Sequence, residues 1–203
     1  MLRPQGVIPG CPPAHIGGTL KCDNRTVRSG QYRGKANTLR ALDASYVAGF
    51  LDGDGSIHFQ LVRQKEYRFG YYIRASMSFS QSTSARGGLE AIQTLVGGSG
   101  YLRDRGTGMS DLVITSRPVL TTLLEAVQPY VIFKKEHVRR ALSLLPRLDR
   151  LRDPNEFLQL AREVDAFATL NYSKSKRISA ADVEQYLLSK GVLCPCNDFL
   201  AFA

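Results

Sequence analysis

The sequence predicts a mixed α+β domain in which helices cover one face of an antiparallel sheet. Three observations carry that expectation. Two pairs of short segments, each joined by a short turn, read as hairpins, and both strands of the first pair and the first strand of the second alternate at a period of two. Helical periodicity separates the two pairs and fills the second half of the chain. A helix ahead of the first pair stops at a cluster of glycines.

The elements follow in order. Asp43 is a candidate N-cap for a helix over 44–52, with Tyr46, Val47, Phe50 and Leu51 as its apolar content and Gly53 and Gly55 as its end. From Ser56 the period becomes two. Ile57, Phe59 and Leu61 face one way, and His58, Gln60, Val62 and Gln64 the other. A turn at 64–68 leads to a second strand, with Ile73, Ala75, Met77 and Phe79 on one face and Tyr72, Arg74, Ser76, Ser78 and Ser80 on the other. Residues 83–96 suggest a helix that the glycines at 97–100 break. A second hairpin spans 101–105 and 111–115, turning at Gly106 and Gly108. Pro118 suits the first turn of a helix reaching about Val127, and helices over 134–145, 155–170 and 179–188 complete the chain. The expected order is an α-β-β-α-β-β-α core with extra C-terminal helices and no internal repeat.

Composition narrows the function. The chain has 203 residues and a mass of 22.5 kDa, with 43% hydrophobic and 22% charged residues, which argues against wholesale disorder. No run of 18 apolar residues occurs, so no membrane helix is expected. The formal charge of +9 favours a polyanionic partner, nucleic acid first. That charge is uneven. Residues 1–40 hold seven cations against the single acid Asp23, together with Pro4, Pro9, Pro12 and Pro13. The expected division is a basic, disordered extension over 1–40, a folded domain over 41–190 and a tail over 191–203. The extension lacks the apolar core of a secretory signal. Cys11, Cys22, Cys194 and Cys196 lack zinc-site spacing and leave the middle of the chain without a disulfide framework. His15, His58 and His137 are too scattered for a histidine metal cluster, and Tyr101, Tyr130 and Phe133 read as core.

One segment violates local preference. In Val47-Ala-Gly-Phe-Leu-Asp-Gly-Asp-Gly55, Asp52 and Asp54 sit at a helix C-terminus, where an acid costs about 0.3–1 kcal/mol relative to a cation. Gly49 and Gly53 are four apart and share a face without side chains, so a second helix backbone can approach closely. Two such helices side by side would bring two Asp54 carboxylates together. Close carboxylates need a cation between them, and hard divalent ions prefer oxygen ligands.

These residues resemble the motif of LAGLIDADG homing endonucleases, and the surrounding segment is similar to the single-motif, homodimeric group of organellar group I introns. Phe79-Ser-Gln81, Gly100-Tyr-Leu-Arg-Asp-Arg-Gly106, Gln128-Pro-Tyr-Val-Ile-Phe-Lys134 and Leu170-Asn-Tyr-Ser-Lys174 extend the resemblance in register over about residues 37–190. The resemblance implies that fold, with a curved sheet, and a magnesium-dependent double-strand break (manganese able to substitute) in a long pseudo-palindromic DNA target. It implies short 3′ overhangs and intron mobility as the outcome.

It also implies roles. Asp54 and the carbonyl of Gly53 would bind the metal, Gln81 would orient water, and Lys134 would stabilise phosphorane charge, with Arg86 beside the family's usual basic position. For Asp52 a purely structural part at the helix end stands open beside a place in the dimer face. His58, Gln60, Gln64, Arg74, Ser78, Arg103 and Arg105 would face the major groove, with Asp111 holding Arg103 or Arg105 rather than touching a base. Asn171, Ser173, Lys174 and Arg177 would meet backbone phosphates. Ala48, Gly49, Phe50, Asp52 and Gly53 would form the homodimer face. Neither a small-molecule substrate nor a membrane is implied, and the expected compartment is an organelle, chloroplast or mitochondrion, or a bacterial cytoplasm. Two readings compete: an RNA maturase assisting intron splicing, and a non-cleaving DNA-binding protein.

Overall fold

Period-two alternation builds the sheet, and the helical segments between and after the strands supply its cover. The computed structural model describes residues 39–171 and 178–193. The elements are α1 (Ala41–Asp54), β1 (Gly55–Arg63), β2 (Tyr71–Ser82), a 3-10 turn (Thr83–Ala85), α2 (Arg86–Leu95), β3 (Tyr101–Arg105), β4 (Met109–Ile114), α3 (Arg117–Val127), α4 (Lys135–Arg150), α5 (Pro154–Ala168) and α6 (Ala180–Ser189). The strands form one antiparallel sheet in the order β1-β2-β4-β3. This is the α+β fold that the alternation predicts.

The register sorts the two faces. Ile57 pairs with Met77, Phe59 with Ala75 and Leu61 with Ile73, and all six are buried under the helices. Leu112 and Ile114 continue this layer through β4. From above, Val47 and Leu51 of α1, Leu120 and Leu124 of α3, Val138 and Leu145 of α4, and Phe157 and Phe167 of α5 close the core. Each such side chain contributes about 1.5–3 kcal/mol by leaving water.

Several boundaries differ from the sequence expectation. α1 begins at Ala41 with Arg40 at the N-cap; Asp43 is inside the first turn, where it pairs with Arg40. The helix also continues through Gly53 and Asp54, and Gly55 caps it. The helix expected over 83–96 is a 3-10 turn followed by α2, with Gly87 and Gly88 in the first turn of α2. β4 starts at Met109 rather than at Asp111. α4 runs to Arg150 and passes through Pro146, since burying Leu144, Leu145 and Leu148 outweighs one missing N–H donor. Asp153 caps α5, accepting from the Glu156 N–H, and Ser179 and Asp182 form a reciprocal capping box on α6. The expectations for most of 1–40 and 191–203 lie outside the described residues.

Tyr101, Tyr130 and Phe133 are corrected. All three are exposed, Phe133 at 83%, because the α3–α4 connection carries its side chains outward and Tyr101 occupies the uncovered face of an edge strand. The helices cover only one side of the sheet, so aromatic residues on the other side have no core to enter.

Gly55 is the hinge between α1 and β1. A Cβ there would lie 2.6 Å from the Leu51 Cα and 2.8 Å from the Leu51 carbonyl oxygen, backbone atoms that cannot rotate away. Gly55→Ala is expected to lower stability by about 1–3 kcal/mol through overpacking. Gly88→Ala, at a position with open space, is expected to raise stability by about 0.5–1 kcal/mol through helix propensity. Urea unfolding of both variants checks the contrast.

Candidate active site

The helix-to-strand junction brings the motif acids against β2. Gly55 pairs with Phe79, so Gln81, two residues further on the same side of β2, comes level with the end of α1. Gln81 Nε2 donates to Asp54 Oδ2 at 2.8 Å, and Gln81 Oε1 accepts from the Ser82 N–H at 3.2 Å. Asp54 and Gly53 are both exposed.

Lys134 reaches the same place from a distant part of the chain. Its ammonium donates to the Asp52 main-chain oxygen at 2.7 Å. The Asp52 carboxylate in turn accepts the Ile132 N–H at 2.6 Å and the Lys134 N–H at 2.9 Å. Burial holds the Lys134 ammonium below the ordinary lysine range, against the opposing pull of Asp52 and Asp54. Asp54, Gln81 and Lys134 are thus gathered at one end of α1, as expected.

Arg86 is not drawn to this group. Its guanidinium pairs with Glu90 and Asp104, and Asp104 also accepts from Ser110 Oγ. That network fastens the start of α2 to β3, so the structure gives Arg86 a bracing contact in place of the predicted catalytic one.

On the uncovered face, β1 and β2 set Ser56 opposite Ser78, His58 opposite Ser76, Gln60 opposite Arg74 and Val62 opposite Tyr72. Gln60 Oε1 accepts from Arg74 Nη2, and His58 Nε2 lies 2.8 Å from Ser56 Oγ. Gln64 sits in the turn beyond β1, exposed. Asp111 on β4 is 0% exposed, beneath Arg103 and Arg105 of β3. It accepts from Arg103 Nη2 at 2.7 Å, from Arg105 Nε and Nη2 at 2.6 Å each, and from Ser80 Oγ at 2.8 Å. Burial alone would raise this carboxyl, but the hydrogen bonds from Arg105, Arg103 and Ser80 outweigh it and hold it below the usual carboxylate range. Both arginines therefore stand oriented over the sheet. Ser80 was missed as a member of this network, since its alternation marks it only as polar.

Other predicted positions change meaning. Asn171 Nδ2 donates to the Ile57 carbonyl at 3.0 Å, which ties Asn171 to the edge of β1. Ser173, Lys174 and Arg177 lie outside the described residues. Ala48 is 0% exposed and turns into its own protomer's core, so it is removed from the dimer face. Asp52 spends both carboxylate oxygens within the protomer, on the 132–134 backbone. Phe50 stacks on Phe79 with centroids 5.7 Å apart and is half-buried. The outer face of α1 is Leu42, Tyr46, Gly49 and Gly53, all exposed, and the two glycines have nothing within 4 Å of where a Cβ would stand. Ile132 and Phe133, also exposed, were missed as surface; they immediately precede Lys134.

Among the described residues, no group of three or more His, Cys, Asp or Glu side chains could hold a metal ion. One protomer brings the Asp54 carboxylate and the adjacent Gly53 carbonyl. Such a small set of hard oxygen donors fits a divalent cation of the magnesium type, which takes one or two carboxylates and completes its shell with water and substrate phosphate.

The sequence pattern of the family described as LAGLIDADG endonuclease matches residues 47–139. The chain is 31% identical over 150 residues to DNA endonuclease I-CvuI of Chlorella vulgaris, covering 74% of this chain and 92% of that one. It is 32% identical over 143 residues to DNA endonuclease I-CreI of Chlamydomonas reinhardtii, covering 70% and 86%. The structure of I-CvuI with its target in the presence of calcium superposes with a TM-score of 0.72 at 30% identity, covering 76% of this chain and 98% of that one. An archaeal intron-encoded homing endonuclease, I-Vdi141I complexed with DNA, shares the fold at 18% identity, with a TM-score of 0.65 over 75% of this chain and 98% of that one.

Asp111 generates a prediction with a defined sign. Its folded carboxyl is the stronger acid, so its stabilising contribution is present above about pH 4, the unfolded value, and is lost as the pH falls through the lowered folded value. Asp111→Asn is expected to lower stability at neutral pH by about 1.5–3 kcal/mol, the worth of its charged hydrogen bonds. Urea unfolding from pH 7 into acid should show the gap to wild type narrowing.

Proposed function

The chain belongs to the LAGLIDADG endonuclease family, and on that premise we propose which of its residues do the work. It is a site-specific homing endonuclease that breaks both strands of a DNA target and acts as a homodimer. Divalent cations serve the reaction; magnesium is the proposed one, with manganese as a substitute.

The observation that carries the assignment is the meeting of Asp54, Gln81 and Lys134 where α1 runs into β1. Asp54 and the Gly53 carbonyl hold the cation. When bound, a divalent ion neutralises phosphate charge and makes water a better nucleophile. Gln81, fixed by its bonds to Asp54 and the Ser82 N–H, orients the attacking water. As the water oxygen bonds to phosphorus and the bond to the 3′ oxygen breaks, Lys134 offsets the charge that builds on the phosphoryl oxygens. Short 3′ overhangs belong to this proposal. Arg86 has no part in it.

The polar sheet face reads the target. Arg103 and Arg105, aimed by Asp111, and Arg74, aimed by Gln60, suit guanine edges, while His58 and Ser78 line the rest of the face and Gln64 extends it from the turn beyond β1. Ser173, Lys174 and Arg177 supply phosphate contacts that carry affinity and salt dependence. A second copy covers the outer face of α1, where Gly49 and Gly53 allow backbone approach and Leu42, Tyr46, Ile132 and Phe133 offer apolar surface. Intron mobility is the biological outcome, and an organelle the proposed compartment. No helix among the described residues is long and apolar enough to cross a membrane.

A plasmid carrying the intronless allele of the protein's own locus, incubated with magnesium, tests this reading. Linearisation at one site is expected, with none in EDTA. Asp54→Asn should abolish cutting, a loss of at least about 1,000-fold, while target binding in a mobility-shift assay persists. Gly49→Leu should leave the protomer folded, since its own side of that face is open, but yield monomers by sedimentation and lose cleavage. A dimeric, active Gly49→Leu protein would remove α1 from the interface.

A further inference from the structure

Asp52 stands at the unfavourable end of α1, yet the same carboxylate lies at the favourable end of another helix. Lys134 is the N-cap of α4, and no side chain of its own segment caps that helix. The Asp52 oxygens accept the Ile132 and Lys134 N–H groups just ahead of the first turn, where the α4 dipole is positive. A negative charge that α1 alone would disfavour is compensated by α4.

The contact does more than join two helices. A lysine is a flexible four-carbon stem carrying a compact charge, so placing its ammonium requires both the backbone and the tip to be held. Asp52 holds both: its carboxylate fixes the Lys134 N–H, and its main-chain oxygen receives the Lys134 ammonium at 2.7 Å. Asp52 is two residues from Asp54, and the two share the last turn of α1.

We propose that Asp52 is a positioning residue for cleavage, holding Lys134 at a set place relative to Asp54 before DNA binds. This rests on the reading that Lys134 acts in cleavage. Asn at 52 keeps the shape but accepts only through one oxygen and turns an amide N–H₂ toward a backbone N–H. A purely structural role would lower stability, binding and cleavage together; a positioning role lowers the cleavage rate through Lys134 alone.

Single-turnover cleavage of the intronless-allele duplex with magnesium, and affinity for the same duplex in calcium, are measured for wild type, Asp52→Asn, Lys134→Ala and the double variant. Asp52→Asn is expected to cleave about 10- to 100-fold more slowly, with affinity near that of wild type, and to add no loss in the Lys134→Ala background. A wild-type rate for Asp52→Asn, or losses that multiply in the double variant, overturns the proposal. A wild-type rate for Lys134→Ala instead overturns the reading of Lys134 itself. Amide hydrogen exchange on the unmutated protein needs no variant to fold. The Ile132 and Lys134 N–H groups should be slowed although Ile132 is largely exposed, and exchange at the rate of unbonded amides would refute the contact.

Discussion

A single carboxylate shared between two helix ends joins the parts of the proposed catalytic group. Asp52 lies at the C-terminus of α1 and immediately before α4, whose first residues are some eighty positions away in sequence. Opposite helix termini carry opposite partial charge, so an acid between them is attracted by one and repelled by the other. Here two N–H groups close on the acid, and the attraction wins. Everything else at that end of the molecule is referred to this junction: Asp54 follows two residues later, Gln81 meets Asp54 from β2, and Lys134 returns its ammonium to the Asp52 backbone.

The sheet face solves a different electrostatic problem. Guanidinium groups proposed to meet DNA should be held in one geometry without losing their charge. Asp111 holds Arg103 and Arg105 together, so the trio keeps a net positive charge while both forks are oriented. Arg74 is held by a neutral amide, Gln60, and keeps its full charge. The two solutions lie on different strands of one uncovered face. The half nearer β3 is less charged per arginine than the half nearer β1.

α1 divides its two sides with equal clarity. Ala44, Val47, Ala48 and Leu51 recur at helical spacing and are buried in the protomer. The opposite side offers Leu42 and Tyr46 to solvent and two glycines with open space around them. One helix therefore serves as core for its own chain on one side, while its bare side is the surface proposed to meet a second copy, and its last turn carries Asp54, the acid proposed to bind the cation.

The fold class, the strand alternation and the grouping of Asp54, Gln81 and Lys134 were legible in the sequence, whereas the caps of α5 and α6 came from the structure. Period and glycine punctuation are local properties, and the spacing of a known motif carries the rest. Tyr101, Phe133, Ala48 and Arg86 were misread for one reason. A residue's type says that it can be buried, paired or exposed, but the neighbour that decides arrives from elsewhere in the chain. Ala48 and Gly49 are adjacent small residues, and only the packing of α1 on the sheet turns one inward and leaves the other bare. Asp52 looked misplaced because its sequence shows only the helix it ends. The sequence by itself determined which residues could do the chemistry; the tertiary structure alone decided which of them meet, because hydrogen bonds and helix dipoles act over a few ångströms of space and are indifferent to separation along the chain.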